Sequence, residues 1–406
     1  MLYDAYELQR SMLAGASAIA NMGAGFLQNP ANPFAYFGGG PVLGSALEVF
    51  AHAAAPRGKP EFGLDKTVIE GREIAVHEQI VLRRPFGQLK HFAREGVTGG
   101  PKLLIVAPMS GHYATLLRGT VERLLPTTDV YITDWRDAKL VPLSDGGFDL
   151  DDYIDYVIAF LEAIGPGAHM LAVCQPSVPC YAAACLMSAA DHPCRPRTLT
   201  LMGGPIDTRE APTAVNTLAT QRPHAWFEQN VIATVPLTYP GAGRHVYPGF
   251  LQLAGFMTMN LGNHMISHWE MFKHLVQGDD EGADATKEFY DEYRAVCDMT
   301  AEFYLQTVER VFQQHALPRG IMTHRGVPVD PAAIKDIALL AIEGERDDIS
   351  GLGQTKAALT LASNLPGPMK RYYMAEGAGH YGIFNGSKWR TRIAPVVEAW
   401  IAEHNG

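Results

Sequence analysis

The sequence lacks several features that would place it in a common functional class. Its five cysteines are odd in number and have no paired spacing, which indicates free thiols in a reducing compartment. No Cys and His residues follow a zinc-binding spacing, and nothing in the sequence predicts a metal ion or an organic cofactor. The net charge of −10 argues against nucleic acid and anionic lipid as partners, but it does not exclude an uncharged apolar surface.

Long apolar runs and a secretory signal are lacking as well. No run is long enough to span a membrane, and Asp4 and Glu7 lie where a signal peptide would be basic. We discount the Ala-Ser-Ala triplet at 16–18 as a cleavage site. We therefore expect a cytoplasmic protein without a transmembrane segment, and the sequence leaves a homo-oligomer open.

A nucleophile elbow is predicted at Cys174, although the usual G-x-S-x-G pattern is absent. Residues 169–173 predict a short buried strand, and the Ala-rich residues after Gln175 predict a helix. A strand that turns sharply into a helix, with a nucleophile at the turn, is typical of an α/β-hydrolase. Ala172 is small enough for the close packing at this turn. Pro176 suits the first helical turn, where a backbone N–H has no partner anyway.

A cysteine at the elbow changes the chemistry that the site can perform. The thiolate is the reactive form, and a helix N-terminus together with a nearby histidine favours it. The competing interpretation is that Cys174 is one more buried apolar residue, as most free cysteines are. Cys180 and Cys185 lie inside the predicted helix, and we interpret them as packing residues.

The pattern along the chain predicts an α/β fold with a mostly parallel central sheet. Hydrophobic residues make up 47% of the chain and charged residues 19%, which is typical of a well-cored globular protein. Apolar strands alternate with helices outside the middle of the chain. We predict a helical N-terminal extension over 1–60, an α/β-hydrolase core over 61–204 and 331–406, and a cap or lid insertion over 205–330.

The predicted cap is rich in aromatic residues and methionine. We expect most of these side chains to form the core of the cap itself and a few to form an apolar substrate wall. One long helix or a helix pair is predicted over 285–314, and the N-terminal extension is expected to make plain core contacts, with a membrane or particle anchor as the alternative. The substrate-binding candidates are Ser110, Trp135, Trp226, Phe227 and Tyr381.

Three residues follow apolar strands in the order expected for a catalytic triad: Cys174, Asp347 and His380. Histidine would take the thiol proton and later protonate the leaving alkoxide, while the acid orients the imidazole. Asp348 and Asp207 are the alternative acids.

An oxyanion site requires two backbone N–H groups. Gln175 is expected to supply one and Met109 the other, with Ser110 as the second choice, because Pro108 has no N–H. Ser110 as a nucleophile lacks the strand–turn–helix context, and Ser177 already lies inside the helix.

Five motifs together resemble the intracellular polyhydroxybutyrate (PHB) depolymerases of bacteria, and the resemblance covers nearly the whole chain, including its N-terminal segment. The resemblance implies hydrolysis of stored poly(3-hydroxybutyrate) on amorphous cytoplasmic granules, releasing 3-hydroxybutyrate or its oligomers. It also implies a cysteine nucleophile, and the nucleophile, acid and base of that family match Cys174, Asp347 and His380. The motifs are Ala-Val-Cys-Gln-Pro-Ser, Ile-Thr-Asp-Trp-Arg-Asp-Ala, Ala-Pro-Met-Ser-Gly-His, Glu-Gly-Glu-Arg-Asp-Asp-Ile-Ser-Gly and Gly-Ala-Gly-His-Tyr-Gly.

Two alternative functions compete with this interpretation. Polyhydroxyalkanoate synthases also use a cysteine elbow but resemble G-x-C-x-G there, so Ala172 and Pro176 favour the depolymerase. A non-catalytic granule-binding protein would keep the fold for binding alone, and replacement of Cys174 by Ala would then change no activity.

Overall fold

The computed structural model describes residues 2–29, 31–33, 40–259, 287 and 290–406. Its strands, in chain order, are β1 (Lys66–Ile69), β2 (Arg72–Arg84), β3 (Gly87–Arg94), β4 (Lys102–Val106), β5 (Asp129–Trp135), β6 (His169–Val173), β7 (Thr198–Met202), β8 (Ala233–Thr234), β9 (His245–Tyr247), β10 (Met299–Thr300), β11 (Thr323–His324), β12 (Val327–Pro328), β13 (Ala338–Gly344) and β14 (Lys370–Ala375).

The helices lie before, between and after these strands. They are α1 (Leu2–Gln28), α2 (Gly40–Ala54), α3 (Arg118–Leu124), α4 (Leu150–Ile164), α5 (Ser177–Ala189), α6 (Ala214–Gln221), α7 (His224–Val231), α8 (Gly249–Met259), α9 (Ala301–Thr307), α10 (Ala357–Leu361), α11 (Gly386–Lys388) and α12 (Ala394–Glu403). π-helical segments adjoin α9 and α12 at Val308–Gln313 and Trp389–Ile393, respectively. Short 3₁₀ turns lie at Ala114–Leu117, Ala138–Leu140, Leu143–Asp145, Pro331–Ala333, Gly367–Met369 and Tyr381–Ile383.

Nine strands form the central sheet, in the order β1-β2-β3-β5-β4-β6-β7-β13-β14. The first three strands and the β3–β5 pair are antiparallel, whereas β5, β4, β6, β7, β13 and β14 are parallel. The chain passes from β4 outward to β5 on one side and then to β6 on the other. In open parallel sheets, ligands bind beyond the carboxyl ends of the strands at such a reversal. The topology therefore points to the loops that follow β4 and β6.

Helices cover both faces of the sheet, and its central strands are buried throughout. All residues of β6, β7 and β13 are buried, as expected for parallel strands packed on both sides. One face packs against α4 and α5, in a cluster that contains Trp135. The other face packs against α3 and α12, in a cluster that contains Trp389 and Trp400.

Backbone pairing interrupts two stretches that have a regular sequence pattern. The alternating residues from Thr67 onward form two antiparallel strands, because Glu70 and Gly71 both have positive φ and form the turn of the β1–β2 hairpin. The helix predicted over 285–314 is interrupted, since β10 follows the helical residues 290–294 and precedes α9. Backbone pairing overrides helix propensity there: the Cys297 N–H donates to the Gly111 carbonyl at 2.8 Å.

The N-terminal helices α1 and α2 pack against each other, and α1 also contacts α8. The ring of Tyr6 stacks on Phe250 with centroids 3.9 Å apart, and the Tyr3 hydroxyl donates to Asp298. Within the described part of the chain, no helix combines the length and apolar character needed to cross a bilayer. The domain boundaries stay predictions. Several predicted cap residues lie outside the described residues: Met265, Trp269, Met271 and Phe272.

Candidate active site

Cys174 lies at a strained turn between β6 and α5. Its φ is +66°, a left-handed conformation that costs a non-glycine residue about 1–2 kcal/mol. The Cys174 N–H donates to the Met202 carbonyl at 2.7 Å, and the Cys174 carbonyl accepts the Ser177 N–H at 3.0 Å. These two bonds join the elbow to β7 on one side and to the start of α5 on the other. The strain is therefore held by the surrounding backbone, as in a nucleophile elbow.

His380 hydrogen bonds with Asp347 and interacts electrostatically with Cys174. Its Nδ1 lies 2.8 Å from Oδ2 of Asp347, and Cys174 is among the groups that raise its pKa. Oδ1 of Asp347 accepts the N–H groups of Ile349 and Ser350 at 2.9 and 2.8 Å. The carboxylate is thus oriented by its own loop, and it can orient the imidazole in turn.

The charges around His380 favour the protonated imidazole. Burial alone would lower its pKa, but the negative charges of Cys174 and Asp347 outweigh burial and raise the pKa of His380 well above its ordinary value. The Asp347 side chain is fully buried and the His380 side chain nearly so. This arrangement favours an imidazolium at His380, which can donate a proton to a group beside Cys174.

The two alternative acids lie in other environments. Asp207 pairs with Arg209, whose guanidinium donates to both carboxylate oxygens at 2.8 and 2.7 Å and, as the leading cause, lowers the pKa of Asp207. Asp348 is exposed. Among the aspartates considered, the structure brings Asp347 to His380.

Gly203 is a site residue that the sequence reasoning missed. It follows β7 with φ +58°, and a Cβ at this position would lie 3.2 Å from both Asp347 Oδ2 and His380 Cε1. The same Cβ would lie 2.7 Å from Ile383 Cδ1. Asp347 and His380 therefore pack against a backbone that only glycine accommodates. The Gly-Gly pair at the end of the predicted strand was the available signal.

The two residues predicted as oxyanion donors, Met109 and Gln175, contact each other. The Met109 N–H donates to Oε1 of the Gln175 side chain at 3.1 Å, which connects the loop after β4 to the residue after the nucleophile. The Met109 side chain is buried. Met109 can therefore donate to a substrate only after the Gln175 amide moves away. Ser110, the second choice, lies one residue further along the same loop.

Residues 293–297 also hold the loop after β4, which sequence reasoning did not anticipate. His112 is buried, its Nε2 lies 3.0 Å from the Tyr293 carbonyl, and its backbone pairs with Val296. Burial lowers the pKa of His112 to about 4, so the ring is neutral at pH 7. Residues 293–297 thus fix the loop that carries the oxyanion candidates.

Glu343, near the end of β13, is a third residue that the sequence reasoning did not anticipate. Its buried carboxylate accepts the N–H groups of Gly353, Thr355 and Lys356 and, at 2.7 Å, the hydroxyl of Tyr372. Four donors compensate for the burial of the charge. They also hold the loop that carries Asp347 against the sheet.

A cavity of about 690 Å³ opens beside Cys174 and His380. Its walls are predominantly apolar and come from the loops of the sheet and from α6, α7, α8 and α9. The described residues that line the cavity include no Asp, Glu, Lys or Arg. They include two histidines, His112 and His380. Such a wall suits an uncharged, apolar acyl chain. The described residues also contain no cluster of three or more His, Cys, Asp or Glu arranged to hold a metal ion.

The predicted substrate-binding residues divide into two groups. Ser110, Phe227 and Tyr381 line the cavity, and the Tyr381 ring lies edge-on to that of Tyr293 with centroids 5.8 Å apart. Trp135 and Trp226 are not among the residues that line it. Trp135 is buried in the core, where its Nε1 donates to the Ala107 carbonyl at 2.8 Å.

Trp226 packs outside the cavity as well. Its ring lies 5.2 Å from the Arg222 guanidinium and meets the edge of Phe227. Neither tryptophan lies among the residues that line this cavity, and their role in substrate binding stays a prediction.

The strand order, the elbow between β6 and α5, and the chain order of Cys174, Asp347 and His380 define an α/β-hydrolase. The predicted fold class is thereby confirmed. A model of the family described as "PHB de-polymerase C-terminus" matches residues 203–405, a range that includes Asp347 and His380. The chain belongs to this family and is a carboxylic ester hydrolase.

Many solved structures are also similar to the chain, at low sequence identity. An esterase from Thermogutta terrifontis has 13% identity and a TM-score of 0.42, covering 84% of this chain and 98% of its own. The naproxen esterase of Bacillus subtilis has 13% identity and a TM-score of 0.43, with coverages of 81% and 92%. An α/β-hydrolase fold protein from Nakamurella multipartita has 14% identity and a TM-score of 0.39, with coverages of 82% and 99%. No curated protein matches the chain.

Proposed function

We propose that the protein hydrolyses the ester bonds of poly(3-hydroxybutyrate), with Cys174 as nucleophile, His380 as general acid and base, and Asp347 orienting His380. The observation that carries this proposal is the His380–Asp347 hydrogen bond beside Cys174, which lies at a strained elbow and lines the same cavity as His380. The family supplies the polymer as the substrate.

The first half of the reaction transfers the acyl group to sulfur. The Cys174 thiolate attacks the ester carbonyl, a C–S bond forms, and the carbonyl oxygen becomes negative. The Gln175 N–H, and Met109 once the Gln175 side chain moves, stabilise this oxyanion. The C–O bond then breaks, and the His380 imidazolium gives its proton to the leaving alkoxide.

The second half releases the product. The neutral His380 imidazole takes a proton from water, and the resulting hydroxide attacks the thioester carbonyl. The C–S bond breaks and the acid product, 3-hydroxybutyrate or one of its oligomers, leaves. The thiolate and the imidazolium are restored, so one ester and one water are consumed in each cycle.

The uncharged wall of the cavity favours a polyester over a coenzyme A thioester. Coenzyme A carries several phosphate charges, which a binding site would have to neutralise with Lys or Arg. The described lining residues include neither. A polyester segment carries no charge and matches the wall, so we place the enzyme at the surface of polymer granules.

The time course of soluble hydroxybutyrate released from amorphous polymer tests the proposal. We expect Cys174→Ala to reduce the rate by at least about 10³-fold, because the nucleophile and its partners act as a unit. Cys194→Ala is the matched control, since both thiols are half-buried but Cys194 lies outside the cavity. Acid quenching of the wild type during turnover should yield an acyl adduct on Cys174, seen by mass spectrometry.

Equal release by the wild type and by Cys174→Ala would reject the assignment. Polymer synthesis from hydroxybutyryl-coenzyme A would instead favour the synthase-like reaction.

A further inference from the structure

The N-terminal helices have an unusual distribution of side chains. α1 buries small residues, Ser17, Ala20 and Ala24, on the side that packs against α2. Its large apolar side chains point to solvent, with exposed fractions between 59% and 68%. We call these residues the outer face: Leu8, Met12, Ile19, Met22 and Phe26.

α2 continues the same arrangement. Gly44, Ser45 and Ala51 are buried, whereas Leu43 and Phe50 are about half exposed. A helix that serves only as a core contact places its large apolar residues inward. A contiguous exposed apolar surface on a folded protein instead marks an interaction site.

The charge of the surface limits what can cover it. Residues 11–28 of α1 contain no charged side chain, in a chain whose net charge is −10. An anionic membrane attracts clusters of Lys and Arg, which the outer face lacks. The spacing of the outer face also suits a coiled coil, but the charged flanking positions that specify the register of a coiled coil are missing here. An uncharged, apolar, extended surface is the complementary partner.

The position of the helices connects the outer face to the active-site cavity. Tyr3 and Tyr6 of α1 pack on Phe250 of α8, and Gln252, Ala254 and Gly255 of the same helix line the cavity. On the other side, Glu48 of α2 pairs with Lys287 at 2.7 Å and His52 with Asp291 at 2.9 Å. Whatever the outer face binds is therefore held next to the helix that forms one wall of the cavity.

We propose that the outer face docks the enzyme onto the surface of the solid polyester. This inference rests on the proposed function, since it takes the polymer as substrate. Burial of the exposed apolar side chains drives adsorption, and the absence of charge avoids a desolvation penalty. Docking through α1 and α2 leaves the cavity free to take up a chain segment from the same surface.

A binding assay with amorphous poly(3-hydroxybutyrate) particles tests the docking. The double variant Ile19→Glu/Met22→Glu places two charges on the outer face. The matched control is Ile321→Glu/Val327→Glu, which changes two apolar residues, exposed by 51% and 56%, in and next to the β11–β12 hairpin. In the binding assay every protein also carries Cys174→Ala, so that the particles stay intact. In the activity assay with a soluble hydroxybutyrate dimer, every protein keeps Cys174.

We expect the outer-face variant to bind particles at least about tenfold more weakly than the control variant, with kcat/KM for the soluble dimer changed by less than about twofold. Equal binding by the two variants would overturn the proposal. A wild-type dimer that the outer-face variant dissociates would also overturn it and assign the face to a second copy. Binding to phosphatidylcholine vesicles that is as tight as binding to the polymer would overturn the proposal too.

These outcomes are separate from failure of the proposed function. Loss of docking is measured without turnover, whereas failure of the triad is measured on the soluble dimer. A wild type that adsorbs but cleaves no ester would keep the docking surface and reject the triad.

Discussion

At the scale of single residues, the candidate site combines strain with burial. Cys174 is held in a left-handed conformation by backbone bonds to β7 and α5, and Asp347 is held by two N–H groups of its own loop. His380 lies between them, and its proton is favoured by both negative neighbours. The residues around the site therefore determine the positions of Cys174 and Asp347 and favour the protonated form of His380.

The role of Asp347 can be separated from that of its neighbour. Asp347→Asn removes the negative charge that raises the pKa of His380 and disturbs the orientation of the imidazole. We expect a loss of about 10²–10⁴-fold in kcat, as for other triads that lose their acid. Asp348→Asn is the control and should keep nearly full activity. Comparable losses in both variants, measured on a soluble ester, would show that the wrong acid has been assigned.

Gly203 offers a test of packing against the triad. Gly203→Ala places a Cβ about 3 Å from Asp347, His380 and Ile383 and forces alanine into a positive φ. Gly320→Ala introduces the same backbone strain, at φ +67°, with no atom within 4 Å of the new Cβ. We expect both to be destabilised by about 1 kcal/mol through strain, and only Gly203→Ala to lose activity by about tenfold or more. Denaturation curves and kcat measurements on the two variants would decide; full activity in Gly203→Ala would contradict the packing argument.

At the scale of elements, tertiary contacts decide where helices begin and end. The extended residues 295–300 interrupt a stretch with a helical pattern, because Val296 and Cys297 pair with the loop after β4. Asp298, in the same segment, accepts the Tyr3 hydroxyl and the Gly249 N–H. This segment thus contacts α1, α8 and the loop after β4.

Asp298, which accepts the Tyr3 hydroxyl of α1, should make the free energy of unfolding depend on pH. Burial, followed by the charge of Asp137, raises its pKa to about 6. The folded chain therefore holds this proton up to about pH 6, whereas the unfolded chain releases it near pH 3.9. Between these values the folded state binds more protons, so this group makes the free energy of unfolding fall as pH rises.

Asp298→Asn removes this titration. We expect the variant to gain stability relative to the wild type between pH 4 and about pH 7, as measured by chemical denaturation across that range. Asp336→Asn, which alters an exposed surface ion pair with Arg195, should shift little. A stability difference independent of pH would show that Asp298 is ionised throughout.

At the scale of the whole molecule, the distribution of charge separates surface from site. The chain carries −10 overall, yet residues 11–28 and the described cavity lining contain no charged Asp, Glu, Lys or Arg side chain. If the substrate is the proposed uncharged polymer, the charged surface would keep protein molecules apart while the apolar surfaces contact the polymer.

Salt should accordingly have little effect on adsorption to the polymer. Between about 0.05 and 0.5 M NaCl, we expect the affinity of the wild type for polymer particles to change by less than about threefold, because screening acts on charges and the outer face has none. Depletion of protein from the supernatant measures this directly. A tenfold weakening over the same range would mean that ion pairs, and not apolar contact, hold the enzyme on the particle.

The sequence by itself determined the sheet core, the elbow and the order of the three candidate site residues. These depend on local chemistry: runs of apolar residues long enough for buried strands, a nucleophile at the joint between strand and helix, and a fixed order along the chain. The fold class, the family and the class of enzyme predicted from those patterns are confirmed, whereas the roles of Cys174, Asp347 and His380 stay predictions.

Only the tertiary structure decided which side chains reach the cavity and which backbone N–H groups already donate hydrogen bonds within the protein. Trp135 is buried in the core, the Met109 N–H donates to the Gln175 side chain, and Gly203 packs against Asp347 and His380. The large residues of α1 came to face solvent because small residues pack more closely against α2. All of these outcomes depend on contacts between residues far apart in the chain, which no local pattern contains.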